Sequence, residues 1–178
     1  MLDAEELLHL AVHASSTGEH HACMTYLKTV LQEQPQNGMA VYLLAVQHAE
    51  LGLFDRAISG LETAIALAPQ LEAARFHLGV LLLDRRRSIE AKQYFATLRD
   101  SSDRALGMCS QAMIALADNN DILAREMLAR GVSEQTRNRA LTDLMERLLD
   151  KLSEAAHAAG SDAQGSCVLL GAYRGAPR

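Results

Sequence analysis

The chain has 178 residues, 49% of them apolar but only 4% aromatic, with no tryptophan and a formal net charge of −5. That length supports a well-buried core without disulfides or metals. The acidic balance argues against a nucleic-acid binder, which needs a basic face to displace counterions from phosphate. A composition rich in alanine and leucine and poor in aromatics favours close helix-on-helix packing over a sheet.

The N-terminus, Met1-Leu2-Asp3-Ala4-Glu5-Glu6, is acidic where a secretory leader would be basic. The longest apolar run, around Leu78 to Leu83, is too short to cross a bilayer. Cys23, Cys109 and Cys167 are odd in number and share no C-x-x-C spacing, so neither a disulfide framework nor a zinc site is indicated. A cytoplasmic protein without membrane insertion is expected.

The dominant signal is periodic. Leu10-Ala11, Leu44-Ala45 and Leu78-Gly79 recur at intervals of 34 residues, as do Cys23, Ala57, Ala91 and Leu27, Leu61, Phe95, with Pro35 and Pro69 closing two periods. A fixed period of that length implies stacked helix-turn-helix units. The first unit spans about residues 4–37, with one helix through Leu7, Leu8, Leu10, Ala11 and Ala14 and another through Cys23, Leu27, Val30 and Leu31. Gly18 lies between them, where a tight turn uses positive φ. The second spans 38–71, with Gly52 at the same place. In the third, about 72–104, Arg86 stands where the others have glycine, and there is no closing proline.

A degenerate fourth unit, about 105–131, is shifted by one residue: Ala112, Ala115, Ala124 and Leu128 follow Gly79, Leu82, Ala91 and Phe95 by 33. Its turn reads Asp118-Asn119-Asn120-Asp121, and asparagine tolerates the left-handed region. Gly131 is expected to stop its second helix, and Ser133 to cap a longer helix running to about Ala158. The apolar stripe Leu141, Leu144, Met145, Leu148, Leu149 and Leu152 opposes the polar residues Arg137, Arg139, Asp143, Glu146 and Asp150, as a terminal cap on a repeat stack requires. Small residues at Ala11, Ala45 and Gly79, facing Cys23, Ala57 and Ala91, are expected to let paired helices approach closely. One repeat domain, residues 1–158, and a C-terminal tail, 159–178, are expected.

This pattern resembles the tetratricopeptide repeat family, whose aromatic, Leu-Gly, Tyr, Ala, Phe, Pro signature stands here as Leu7, Leu10-Ala11, Ala14, Cys23, Leu27, Pro35. The second copy reads Val41, Leu44-Ala45, His48, Ala57, Leu61, Pro69, and the third Arg75, Leu78-Gly79, Leu82, Ala91, Phe95. The resemblance covers residues 4 to 100 in three in-register copies. It implies an all-α right-handed superhelix of helix-turn-helix repeats with a long C-terminal capping helix. It also implies a concave groove lined by each first helix, at Leu8, Val12 and Ser15, then Tyr42, Val46 and Ala49, then Phe76, Val80 and Leu83, then Cys109, Met113 and Leu116. An exposed apolar strip of that length marks a binding surface. Relatives that grip the acidic C-termini of heat-shock chaperones share groove Lys, Asn and Arg residues; Leu8, Val12, Leu43, Ala73 and His77 stand there instead, which argues against that role.

Other chemistry is sparse. His9 and His13 lie one helical turn apart, but no HExxH pattern surrounds them, so the histidines are read as solvated or half-buried surface residues and no metal site is expected. No nucleophile-His-Asp order and no glycine-rich phosphate loop occurs, and neither an enzyme nor a cofactor is expected. Arg85-Arg86-Arg87 is read as a solvated turn, Cys23 as inert core and Cys109 as a groove thiol.

The expected function is a non-catalytic protein–protein adaptor or chaperone that takes an apolar peptide or helix in its groove, similar in scale and class to the small tetratricopeptide chaperones of bacterial secretion systems. Two alternatives come from other classes. One is a homo-oligomeric structural module, a homodimer held by the C-terminal helix or tail. The other is the interaction domain of a larger enzyme. Val168, Leu169, Leu170 and Tyr173, the apolar part of the tail, are a candidate segment for docking in a groove.

Overall fold

The computed structural model describes residues 2–134, 136 and 138–158. The described residues form nine helices and no strands. Four pairs, α1 (Ala4–Ser16) with α2 (His20–Glu33), α3 (Gly38–Glu50) with α4 (Phe54–Leu67), α5 (Glu72–Asp84) with α6 (Ser88–Ala96) and α7 (Arg104–Ala117) with α8 (Asp121–Ser133), precede a twenty-residue helix, α9 (Arg139–Ala158). The chain divides into two compact units, one up to Leu78 and the other from Gly79, the division falling within α5.

The turn inside each pair is built the same way four times. Gly18 (φ 75°), Gly52 (φ 75°), Arg86 (φ 61°) and Asn119 (φ 56°) occupy the left-handed region. The next amide in each case reaches back to the carbonyl five residues earlier: Glu19 to Ala14 (2.8 Å), Leu53 to His48 (2.8 Å), Arg87 to Leu82 (2.9 Å) and Asn120 to Ala115 (2.8 Å). The turn residue's own N–H bonds three back, to Ser15, Ala49, Leu83 and Leu116. These are Schellman closures, which satisfy the last helical carbonyls and reverse the chain in one step. Arg86 therefore adopts the conformation that glycine supplies in the first two pairs.

Between pairs, local chemistry starts and stops each helix. Asp3 and Glu6 form a reciprocal capping box on α1, with bonds of 2.8 and 2.9 Å. The Asn37, Asp103 and Asn120 side chains cap α3, α7 and α8. Gln34 and Ala68, the residues before Pro35 and Pro69, leave helical geometry at ψ 75° and 76°, because a following proline excludes the α region. Without such a proline, α6 is only nine residues long and runs into a series of turns before Asp103.

In the first unit the core starts from Leu7, Ala11, Ala14, Cys23, Leu27, Val30 and Ala40, with Leu43 and Leu44 of the next pair packed against it. Ala45, Ala57, Leu61 and Ala64 continue it. Leu10, at the repeat position of Leu44, is exposed: Leu44 has the preceding pair to pack on, and α1 has none. In the α3/α4 crossing Gly60 lies close against Ala45: an added Cβ on Gly60 would lie 2.8 Å from the Ala45 Cβ. In the second unit Gly79 lies under the Phe95 ring, 2.7 Å from the place a Cβ would take. Ala45 and Gly79 thus have Gly60 and Phe95 as close neighbours in the paired helix.

The second unit also corrects two boundaries. Gly131 does not end α8, which continues to Ser133, whose hydroxyl donates to the Arg130 carbonyl (2.6 Å) instead of capping a new helix. α9 begins at Arg139, with the Asn138 side chain accepting from the Leu141 N–H (3.1 Å). Gly131 is buried because an added Cβ would lie 2.6 Å from the Met145 sulfur; its missing side chain is what admits α9. Leu141, Leu144, Met145, Leu148 and Leu152 are buried where α9 packs on α8 and α7, while Arg139, Asp143, Glu146 and Asp150 face outward.

Candidate functional site

The positions expected to line a concave face fall into two groups by exposure. In the first unit Leu8, Ser15, Tyr42, Val46 and Ala49 are partly buried and Val12 is 51% exposed. These residues lie on α1 and α3, which pack against each other. From Phe76 onward the picture reverses: Phe76, Val80, Leu83, Cys109 and Met113 are buried, and only Leu116 remains partly open. At one register position exposure falls from 51% at Val12 to 6% at Val80 and 1% at Met113. The expectation of a continuous exposed strip is corrected accordingly. The open apolar face belongs to α1 and α3, and the equivalent positions of α5 and α7 are covered, Phe76 of the first unit among them.

Cys109 is correspondingly not a surface thiol. Burial pushes it up to about 12, and Cys23 is raised for the same reason, so both are protonated and unreactive at neutral pH. Val168, Leu169, Leu170, Tyr173 and Cys167 lie outside the described residues, as does Arg137.

Two polar arrangements in the first unit were not foreseen. Gln47, 1% exposed, donates through Nε2 to the Ser15 hydroxyl (2.8 Å) and holds His20 Nδ1 at 2.9 Å with Oε1. A carboxamide oxygen only accepts, so the proton on His20 must sit on Nδ1. The three residues tie α1, α2 and α3 together behind the open face and satisfy a buried amide that would otherwise destabilise the fold.

The second arrangement is at the face itself. His77 Nδ1 lies 2.9 Å from both the Ala73 carbonyl and the Tyr42 hydroxyl oxygen, with the Tyr42 and His77 rings 5.5 Å apart and the Phe76 ring edge-on to His77. The Ala73 carbonyl can only accept, so Nδ1 carries a proton shared between the two oxygens. Burial drives His77 down to about 4, the Ala73 bond partly opposing, so the ring is neutral at pH 7. Tyr42 is raised by burial and stays a phenol. Since its oxygen receives the His77 N–H, its own proton is directed elsewhere.

The remaining candidates are quiet. His9, His13 and His21 are exposed, and among the described residues no group of three His, Cys, Asp or Glu side chains is placed to hold a metal. Arg87 pairs bidentately with Glu90 at 2.7 Å, holding that carboxyl below its usual range, and Arg85 and Arg86 are exposed. A shallow depression between α3 and α4 is floored by Val41, Leu44 and Ala45 and rimmed by His48, Asp55 and Arg56; it uses a different face of α3 from Tyr42 and Val46. Among the described residues no helix is long and apolar enough to cross a membrane.

No family model matches the sequence, and no curated protein does. Solved structures do. The chain is similar to the MamA RS-1 ArsTM double mutant (TM-score 0.58, 16% identity, covering 89% of this chain and 97% of that one). It is also similar to a tetratricopeptide repeat protein from Parabacteroides merdae ATCC 43184 (TM-score 0.61, 15% identity, 96% and 73% covered). A third is the P58(IPK) TPR domain (TM-score 0.53, 22% identity), where the match covers 89% of this chain and 49% of the other. With the four Schellman-closed pairs, these likenesses define the class: the chain is an all-α, tetratricopeptide-like helical repeat protein.

Proposed function

We propose that this is a non-catalytic interaction module, a cytoplasmic adaptor or chaperone, that takes an apolar peptide or helix against the face formed by α1 and α3. The reading is supported chiefly by the exposure of Val12 beside Leu8, Tyr42, Val46 and Ala49, an apolar face open to solvent. Tyr42 adds a polar handle. Its hydroxyl proton is free of the His77 bond and suits a peptide carbonyl, so the face offers aliphatic contact with one directional donor. As an aromatic at the centre of the strip, Tyr42 is the expected hot spot, and its truncation should weaken the partner by about 2 kcal/mol, near 30-fold.

The test is quantitative affinity capture from the native cell with three variants beside the wild type. Val12→Asp and Tyr42→Ala should each lose the same proteins, while Arg86→Glu, on an exposed turn, should retain them and alter affinity mainly at low salt. Loss with Arg86→Glu and retention with both face variants would overturn the reading.

A further inference from the structure

Charge is not spread evenly along this chain. Residues 1–78 hold nine Asp and Glu against three cations, Lys28, Arg56 and Arg75, a formal −6, whereas the whole chain carries −5. The negative charge of the protein therefore belongs to its first unit. None of the three cations lies on α1 or α3, the helices of the open face. Lys28 is on α2 and Arg56 on α4. Burial, Arg56 and Lys28 together hold His48, on the rim of the α3/α4 depression, below its ordinary value, so both cations act on that other side of α3. Arg75 pairs with Glu72 of its own helix at 3.9 Å.

Carboxylates flank the apolar residues instead. Glu5, Leu8 and Val12 share one side of α1 at i, i+3 and i+7, and Tyr42, Val46 and Glu50 share one side of α3 at i, i+4 and i+8. Glu5 and Glu50 are exposed, and neither carboxylate is engaged by another described residue. Glu50 is also the last residue of α3, where the negative end of the helix dipole adds to its charge. We propose that the segment taken by this face is cationic as well as apolar, its aliphatic side chains lying on Leu8, Val12, Tyr42 and Val46 and its Lys or Arg residues pairing with Glu5 and Glu50. Charge complementarity selects this occupant. An acidic segment of equal apolar content would be repelled, a neutral one would leave both carboxylates unbalanced, and a second copy would bring its own −5 to a surface of the same sign. This ligand class rests on α1 and α3 being the binding face, as proposed above, and adds the sign of what they bind.

The experiment pans the full chain against a displayed library of random peptides, in parallel with Val12→Asn and with Glu5→Gln/Glu50→Gln. Val12→Asn is neutral, so it removes apolar contact without altering charge. Peptides kept by the wild type and lost by Val12→Asn are the face binders, and they should be enriched in Lys and Arg beside an aliphatic cluster. Synthesised and followed by fluorescence anisotropy, they should bind Glu5→Gln/Glu50→Gln about three- to tenfold more weakly than the wild type. Raising NaCl from about 0.05 to about 0.5 M should close most of that gap. Face binders with no excess of Lys and Arg, or with equal affinity for both proteins, would overturn the cationic ligand and leave the apolar face standing as a binding surface. Retention of every selected peptide by Val12→Asn would overturn that face and the cationic ligand with it. A wild-type dimer in sedimentation velocity that Val12→Asn dissociates would place a second copy on the face and overturn the proposal as well.

Discussion

Arg86 is the clearest place where this chain works against local physics, and replacing it with glycine should stabilise the protein. The residue sits at φ 61° in a turn whose counterparts are Gly18 and Gly52, both at 75°, and Asn119 at 56°. A side chain with a Cβ in the left-handed region costs about 1–2 kcal/mol, because Cβ crowds the following carbonyl. Glycine relieves that strain but loses about 0.5–1 kcal/mol through the larger entropy of its unfolded chain. The difference favours Arg86→Gly by about 0.5–1 kcal/mol. The reverse substitutions calibrate the argument: Gly18→Ala and Gly52→Ala should each destabilise by about 1 kcal/mol, although no atom lies within 4 Å of either added Cβ, so conformation alone is at issue. Urea unfolding by circular dichroism gives the measurement. With a slope of about 2 kcal/mol per molar, Arg86→Gly should raise the midpoint by about 0.3–0.5 M and Gly18→Ala should lower it by about 0.5 M. A neutral Gly18→Ala together with an Arg86→Gly that lowers the midpoint would refute the reasoning.

The other expectations concern packing and protonation. Gly60→Ala should destabilise by about 1–3 kcal/mol despite alanine's better helix propensity, because the new methyl falls 2.8 Å from the Ala45 Cβ; calorimetric melting checks it. Ending the chain after Ser133 uncovers the faces of α7 and α8 that carry α9. Losing five buried Leu and Met side chains at about 25 cal/mol per Å² should cost several kcal/mol and show as a much lower melting temperature or aggregation in light scattering. His77 is held near 4 in the fold against 6.5 when unfolded, so the unfolded chain binds the extra proton and stability falls as pH drops from about 6.5 to about 4. The loss is at most about 3.5 kcal/mol at 1.4 kcal/mol per pH unit, and His77→Gln should flatten that part of the curve in urea titrations.

The fold was legible because a period of 34 residues is a constraint on every helix at once. The helices α1, α3 and α5 begin at Ala4, Gly38 and Glu72, in register with the Leu-Ala and Leu-Gly pairs, and the turns at Gly18 and Gly52 announce themselves by residue type. Where the period weakens, so does the reading. Gly131 looks like a stop and Ser133 like a cap, because a sequence gives glycine two meanings, conformational and steric, without saying which applies. Only the approach of Met145 decides that this glycine makes room for a neighbouring helix and that the cap is Asn138.

The candidate site was legible as a set of positions but not as a surface. Heptad-like spacing identifies which residues share a face of α1, α3, α5 and α7. Whether that face is open depends on what lies over it, and Val12 and Val80 are the same residue type in the same register with opposite fates. The polar links are harder still. Gln47 reaches Ser15 and His20 across 32 and 27 residues, and Tyr42 reaches His77 across 35, none of them at the repeat interval. Such pairs have no periodic partner to reveal them, since the next register positions, Leu81 for Gln47 and Phe76 for Tyr42, carry no matching groups. They are therefore individual features laid on a repeated frame, and individuality on the face of a repeat is where specificity for one partner over another has to reside. On the function proposed above, Tyr42 and its His77 support, more than the aliphatic residues around them, should set which peptide is taken.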